Sequence, residues 1–212
     1  MTLVERWLSA LNLAADESRL SACRDLVARY EEPHRKYHNL RHLTEVLDIV
    51  DELAGEAEDI EAVRLAAWFH DAVYESGAAH SESEISNEEA SARLAARVLN
   101  DLGVPAARGS EAARLVRLTE KHVAADHDRN AAVLFDADLA ILASAPERYE
   151  EYAQAVREEY REVPDDVFRP ARARILAALL SAPTLYRTPS ARARFESRAR
   201  TNVTAEITRL SS

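Results

Sequence analysis

Apolar residues return every three or four positions along almost the whole chain, the spacing of helices that each bury one face. Trp7, Leu8 and Leu11 mark a first short helix. Leu20, Cys23, Leu26, Val27 and Tyr30 mark a second, begun near Asp16. Leu40, Leu43, Leu47, Val50 and Leu53 form a third, which Gly55 is placed to end. A fourth is expected from about Ile60 to Phe69, and a fifth from about Ser83 to Leu102, stopped by Gly103 with Pro105 beyond. A sixth is expected to start after Ser110 as N-cap and to carry Leu115, Leu118 and His122. Val133 to Leu142 reads as a seventh; its stretch VLFDADLAIL could pass for a strand, but Leu134, Asp138 and Leu142 fall on one helical face. Pro146 suits the first turn of an eighth helix with Tyr149, Tyr152, Val156 and Tyr160. Two more follow, around Ile175 to Leu180 and from Ser190 to about Leu210.

The pattern therefore predicts an all-α bundle of about eight to ten helices, with one domain over residues 1–212. Composition agrees: only 4 Gly and 7 Pro leave too few tight turns for a β-sandwich or barrel. Hydrophobic residues at 47% and charged residues at 30% exclude wholesale disorder. A net charge of −10 argues against duplex nucleic acid as partner, because phosphate binding rests on excess Lys and Arg. No apolar run approaches the roughly 20 residues of a membrane span, and the N-terminus has no basic-then-apolar signal pattern. With a single cysteine, Cys23, on an apolar helical face, no internal disulfide forms, and a cytoplasmic protein is expected. The Arg-rich region after about Val163 lacks candidate catalytic groups and suits scaffolding or a homodimer contact.

The candidate chemistry is concentrated. Three of the seven histidines lie in PHRKYHNLRH: His34, His38 and His42, the last two sharing a face if both are helical. WFHD puts His70 and Asp71 at the end of the fourth helix, and His122 comes late in the sixth. Asp136 and Asp138 sit in an apolar segment. A buried carboxylate is costly without a partner, and imidazole nitrogens with carboxylate oxygens make a mixed site suited to Zn, Mn, Fe, Co or Ni. His34, His80 and His127 read as solvated, and the doublet His127-Asp128 lies in the polar stretch AADHDRN, where no apolar helix frames it.

RHLTEVLDIV, AAWFHDAVY and LFDADLAIL, in that order, resemble the HD superfamily of metal-dependent phosphohydrolases. YHNLRH, FHDAVY, NEEASA, TEKH and DADLAIL together resemble a small single-domain subfamily of that group. The motifs cover about residues 33–142, with the helices of about 146–210 expected to pack on that core. The resemblance implies a metal ligand set of His42, His70, Asp71 and Asp138, with His38 competing with His42 and Asp136 with Asp138. It implies one divalent ion (Mn, Fe, Zn, Co, Ni or Mg), and His122 matches a ligand position for a second. Asn87 stands where two-metal relatives can carry His.

By the same resemblance Asp71 would orient a metal-activated water, and Glu88 would accept a proton or orient its neighbours. Arg35, Lys36, Arg41 and Lys121 make a basic patch suited to a small anionic phosphate ester or nucleotide. Tyr37 and Tyr74 flank the histidine motifs and are placed to stack on a base or to pack. Two further readings stand beside it, a di-iron HD oxygenase and a non-catalytic module that uses metal as a staple.

Overall fold

The structure, a computed structural model, describes residues 1–76 and 85–211. His80 and the helix start expected at Ser83 lie outside the described residues. Among the described residues there are ten α-helices, two short 3₁₀ segments and no strand. They are α1 (Leu3–Leu11), α2 (Glu17–Tyr30), α3 (Leu40–Glu52), α4 (Ile60–Phe69), α5 (Asn87–Asp101), α6 (Ala106–Leu118), α7 (Arg129–Asp138), α8 (Pro146–Glu159), α9 (Asp165–Ser181) and α10 (Pro189–Leu210). No helix is long and apolar enough to cross a membrane among the described residues.

Helix α4 is the axis of the bundle and packs against α1, α3, α5, α6 and α7. Its sequence IEAVRLAAWF is apolar on nearly every side, so it belongs in the middle. Trp68 and Phe69 meet Trp7 of α1 edge-on, with ring centroids 5.4 and 6.0 Å apart. Such fully buried aromatics cost about 3–5 kcal/mol to truncate. They anchor the C-terminal end of α4, where His70 and Asp71 follow.

Several helix boundaries differ from the spacing's prediction. Helix α7 runs from Arg129 to Asp138, starting four residues earlier than expected, with Leu139–Ala143 following as a 3₁₀ segment, and α9 starts at Asp165, ten residues before Ile175. Helix α6 begins at Ala106, a full turn before Ser110. Gly103, at φ +78°, reverses the chain in a conformation side-chain-bearing residues avoid, and Pro105 then caps the new helix at once. Helix α6 also stops at Leu118, where the Thr119 hydroxyl bonds the Val116 carbonyl, so His122 lies in the following turn at φ +49°.

The C-terminal helices lie on the motif core. Asn202 of α10 donates to the carbonyls of Leu142 and Ser144 (2.9 and 3.0 Å), and Tyr186 donates to that of Leu139 (2.9 Å). Cys23 is buried, as its apolar setting predicts.

Candidate metal centre

The turn PHRKYHNLRH folds by capping. Asn39 is the N-cap of α3, its side-chain oxygen accepting from the amides of Arg41 (2.9 Å) and His42 (3.4 Å). His42 therefore stands in the first turn of α3, buried to 2% exposure. His38 precedes the cap, so the shared helical face expected of the two histidines is not formed, although their rings still lie 5.8 Å apart.

His70 ends α4 and Asp71 follows it. The Tyr30 hydroxyl fixes this exit, donating to the Trp68 carbonyl (3.2 Å) and accepting from the Asp71 amide (3.3 Å). Two side chains one turn apart on α5 clip the next residues: Ser91 bonds the Val73 backbone, and Asn87 bonds both the amide and the carbonyl of Glu75. Asn87 is thus tied to backbone.

Three helix ends meet here. His42 Nε2 and His70 Nε2 are 3.1 Å apart. Asp138 Oδ1, from the last residue of α7, lies 3.3 Å from the first and 3.7 Å from the second. Asp71 Oδ2 lies 3.4 and 3.1 Å from them. An ion held at about 2.1 Å sets neighbouring donors about 3.0 Å apart in an octahedron and about 3.4 Å apart in a tetrahedron. Four of the five separations, 3.1–3.4 Å, fall within those edges, and the His70–Asp138 distance of 3.7 Å lies just beyond them. His42, His70 and Asp138 form a group whose ligand atoms all lie within 4.8 Å of one another, and it could hold a metal ion. Asp71 touches both imidazoles but falls outside that closest group.

The protons agree with this. His70 Nδ1 lies 2.8 Å from the Ala67 carbonyl and must donate to it, which leaves a lone pair on Nε2 facing His42. Two imidazole nitrogens this close need a proton or a cation between them. Burial disfavours charge on His42, yet the bonds and charges of Asp138 and Asp71 override it and lift its pKa to about 10. His70 is raised for the same reasons, by Asp71 above all once burial is overcome. Burial works against Asp71 and Asp138 as anions too, but the imidazoles hold both below the usual carboxylate range. The pocket is built for positive charge.

No protein-family model, curated protein or solved structure matches the chain.

The remaining candidates spread around this cluster. Asp136, fully buried, faces away, its two oxygens accepting the amides of Arg187 (2.8 Å) and Thr188 (2.7 Å) at the start of α10. His122 Nε2 lies 2.9 Å from Asp138 Oδ2, on the oxygen turned from the imidazole pair, and so donates to it. Arg35 sits beneath the site. Its guanidinium donates to the carbonyls of Asp71 (2.6 Å), His38 (3.1 Å) and Ala72 (3.3 Å), between the rings of Tyr30 and Tyr74. Lys36 bonds the Pro33 carbonyl, Arg41 pairs with Glu45 and Glu151, and Lys121 is exposed beside Glu120. Glu88 is half-buried in the first turn of α5, with no bond to the cluster among the described residues. His127 is exposed, and Asp128 is the N-cap of α7. His34, also exposed, bonds the Tyr74 carbonyl.

Two features escaped the sequence reading. A cavity of about 530 Å³ bordered by His42 and Asp138 carries Arg148, Arg194 and Arg198 in its wall. Glu159, 7% exposed, reaches from α8 to the turn before α3: Oε1 accepts the amides of Lys36, Tyr37 and His38 at 2.8–2.9 Å. Oε2 lies 2.7 Å from His38 Nδ1 and accepts from the Tyr74 hydroxyl at 2.9 Å. A signal for it existed. Tyr149, Tyr152, Val156 and Glu159 are spaced as one buried stripe, so the carboxylate occupies an apolar position.

Proposed function

We propose that the chain is a metal-dependent phosphohydrolase acting on a small anionic phosphate ester, as its resemblance to the HD superfamily implies. The observation that carries this reading is the convergence of His42 Nε2, His70 Nε2 and Asp138 Oδ1, with the two imidazole nitrogens 3.1 Å apart. His42, His70 and Asp138 would hold the ion, with Asp71 beside them. A divalent ion bound there supplies a water of lowered pKa and neutralises phosphoryl charge.

The chain's own side chains carry the rest. The imidazole pair is nearly sealed, at 3% and 1% side-chain exposure, whereas Asp71 and Asp138 each keep 16%. Carboxylates therefore form the open rim, and Asp71 is placed to orient a water there. His122 bonds the outer oxygen of Asp138 and so fixes which oxygen faces the imidazoles. The adjoining cavity is lined by Arg148, Arg194 and Arg198 together with Glu45, Asp48 and Glu52. Arg148 and Arg194 pair with Glu45 and Glu52, so Arg198 is the lining arginine offered to an anionic group there.

Elemental analysis of protein purified without added metal, with phosphate release from p-nitrophenyl phosphate and nucleoside monophosphates, tests the reading. One tightly held divalent ion per chain and turnover that Asp71→Ala removes are expected. A chain that holds no divalent ion overturns the reading. A chain that holds one and hydrolyses nothing in the panel overturns it in favour of a structural metal.

A further inference from the structure

His38 and Glu159 are not needed to hold the ion, yet no other exposed or half-exposed histidine is gripped so fully among the described residues. Its backbone amide and its Nδ1 both go to the Glu159 carboxylate, at 2.9 and 2.7 Å. Tyr74 stacks on its ring at 4.2 Å between centroids, and Tyr37 meets it edge-on at 4.9 Å. The Tyr74 hydroxyl is held in turn by the same carboxylate. Three side chains, Glu159, Tyr74 and Tyr37, thus fix one imidazole in position and rotation, while its side chain keeps 23% exposure.

The bond to Glu159 also decides the ring's chemistry. A carboxylate oxygen can only accept, so Nδ1 carries the proton. In the neutral ring Nε2 then bears the lone pair, and no side chain or backbone group holds it among the described residues. The ring lies 5.8 Å from that of His42. We infer that His38 is the proton acceptor for the attacking water, held in the required tautomer by Glu159 as its positioning residue.

This rests on the phosphohydrolase reading above. In the step, a water oxygen forms the new bond to phosphorus as the bond to the leaving-group oxygen breaks. The water proton passes to His38 Nε2 and then to the leaving oxygen or to solvent. Glu159 keeps its charge and balances the transient imidazolium. Nothing is oxidised or reduced, and water is the only co-reactant.

Glu159→Gln isolates the idea. The Gln oxygen can still accept the three amides, so the turn survives. Its NH₂ faces His38 Nδ1 as a donor, which forces the other tautomer and puts the proton on Nε2. Long-range ¹⁵N–¹H spectra of histidine-labelled, metal-free protein in mildly alkaline buffer read this directly. Wild type should show His38 protonated on Nδ1 and the variant on Nε2; Nε2 protonation in wild type overturns the inference whatever the activity. With Mn²⁺ and p-nitrophenyl phosphate, Glu159→Gln should keep its metal and its KM while kcat falls about a hundredfold. His38→Ala should fall similarly and be partly restored by added imidazole, which repairs a missing base and not a missing contact. Variants that retain wild-type kcat overturn the dyad and leave the phosphohydrolase reading standing. A wild type inactive toward the whole panel overturns both.

Discussion

Asp136 and Asp138 stand two residues apart at the end of one helix, and both are largely withdrawn from water, yet they do opposite things. Asp136 accepts two backbone amides of the segment leading into α10. Burial dominates there and pushes its carboxyl above the ordinary range despite those bonds. Asp138 is opposed by burial as well, but bonds from His122 and His42 and the charge of His70 pull it far the other way. One carboxylate pins the chain and the other gathers positive charge. What distinguishes them most is the partner presented, since both stand in the last turn of one helix.

Alanine at each position separates the two roles. Asp138→Ala should remove the ion almost completely, an effect of at least about a hundredfold in affinity, measured as metal per chain after dialysis against a known free concentration. Asp136→Ala should keep full metal content but leave two buried amides unpaired, costing about 2–5 kcal/mol in urea unfolding. If instead Asp136→Ala loses the ion while Asp138→Ala keeps it, the assignment of the pair is reversed.

A second contrast sets Asp136 against Glu159, another buried carboxylate that accepts backbone amides. Burial raises Glu159 too, but the bond and charge of His38 and the amides of Tyr37 and His38 outweigh it and hold the pKa at about 2, from an ordinary 4.5. A folded pKa below the unfolded one means stability fully present above the ordinary carboxylate range and lost as pH falls through about 2. The shift corresponds to about 3 kcal/mol as an upper figure. Urea midpoints followed from pH 6 downward should therefore fall steeply in wild type, and Glu159→Gln should flatten that acid limb. An unchanged slope would mean that Glu159 pairs equally well in the unfolded chain.

Why some of this was legible in the chain and some was not has a physical basis. Periodicity reports which face of a helix is buried, so Trp68, Leu43 and Leu134 could be placed and the ends of α3 and α4 found close to where their ligands stand, whereas α7 ends at Asp138 and not at Leu142, where a 3₁₀ segment keeps the apolar spacing going. Of the competing pairs, His42 and Asp138 reach the cluster. Periodicity does not report what a turn does. Asn39 stops α3 from reaching back to His38, and Gly103 with Pro105 starts α6 early. Nor does it say where a long cation ends: Arg35 reads as part of a basic patch for an anionic substrate in PHRKY, but its side chain is fully buried against three carbonyls. Arg148 and Arg194 lie more than a hundred residues from the carboxylates they pair with, Glu45 and Glu52, a proximity that only tertiary structure creates.

The chain also contains two His-Asp doublets, which make the mildest and cleanest comparison. His70-Asp71 ends a helix buried on nearly every side, whereas His127-Asp128 opens one at the surface. Asp128 accepts the Ala131 amide as N-cap of α7 and pairs with Arg114, so its carboxylate already serves the helix end. Asp128→Ala should cost about 1 kcal/mol, the usual worth of a cap, without loss of metal. His127→Ala should change stability by less than about 0.5 kcal/mol, since nothing buried depends on it. Both variants should bind one ion as tightly as wild type in a titration with Mn²⁺. A measurable drop in either would mean that a polar, exposed doublet contributes to the ion after all, and that burial of the framing helix is the wrong criterion for telling a ligand pair from a helix cap.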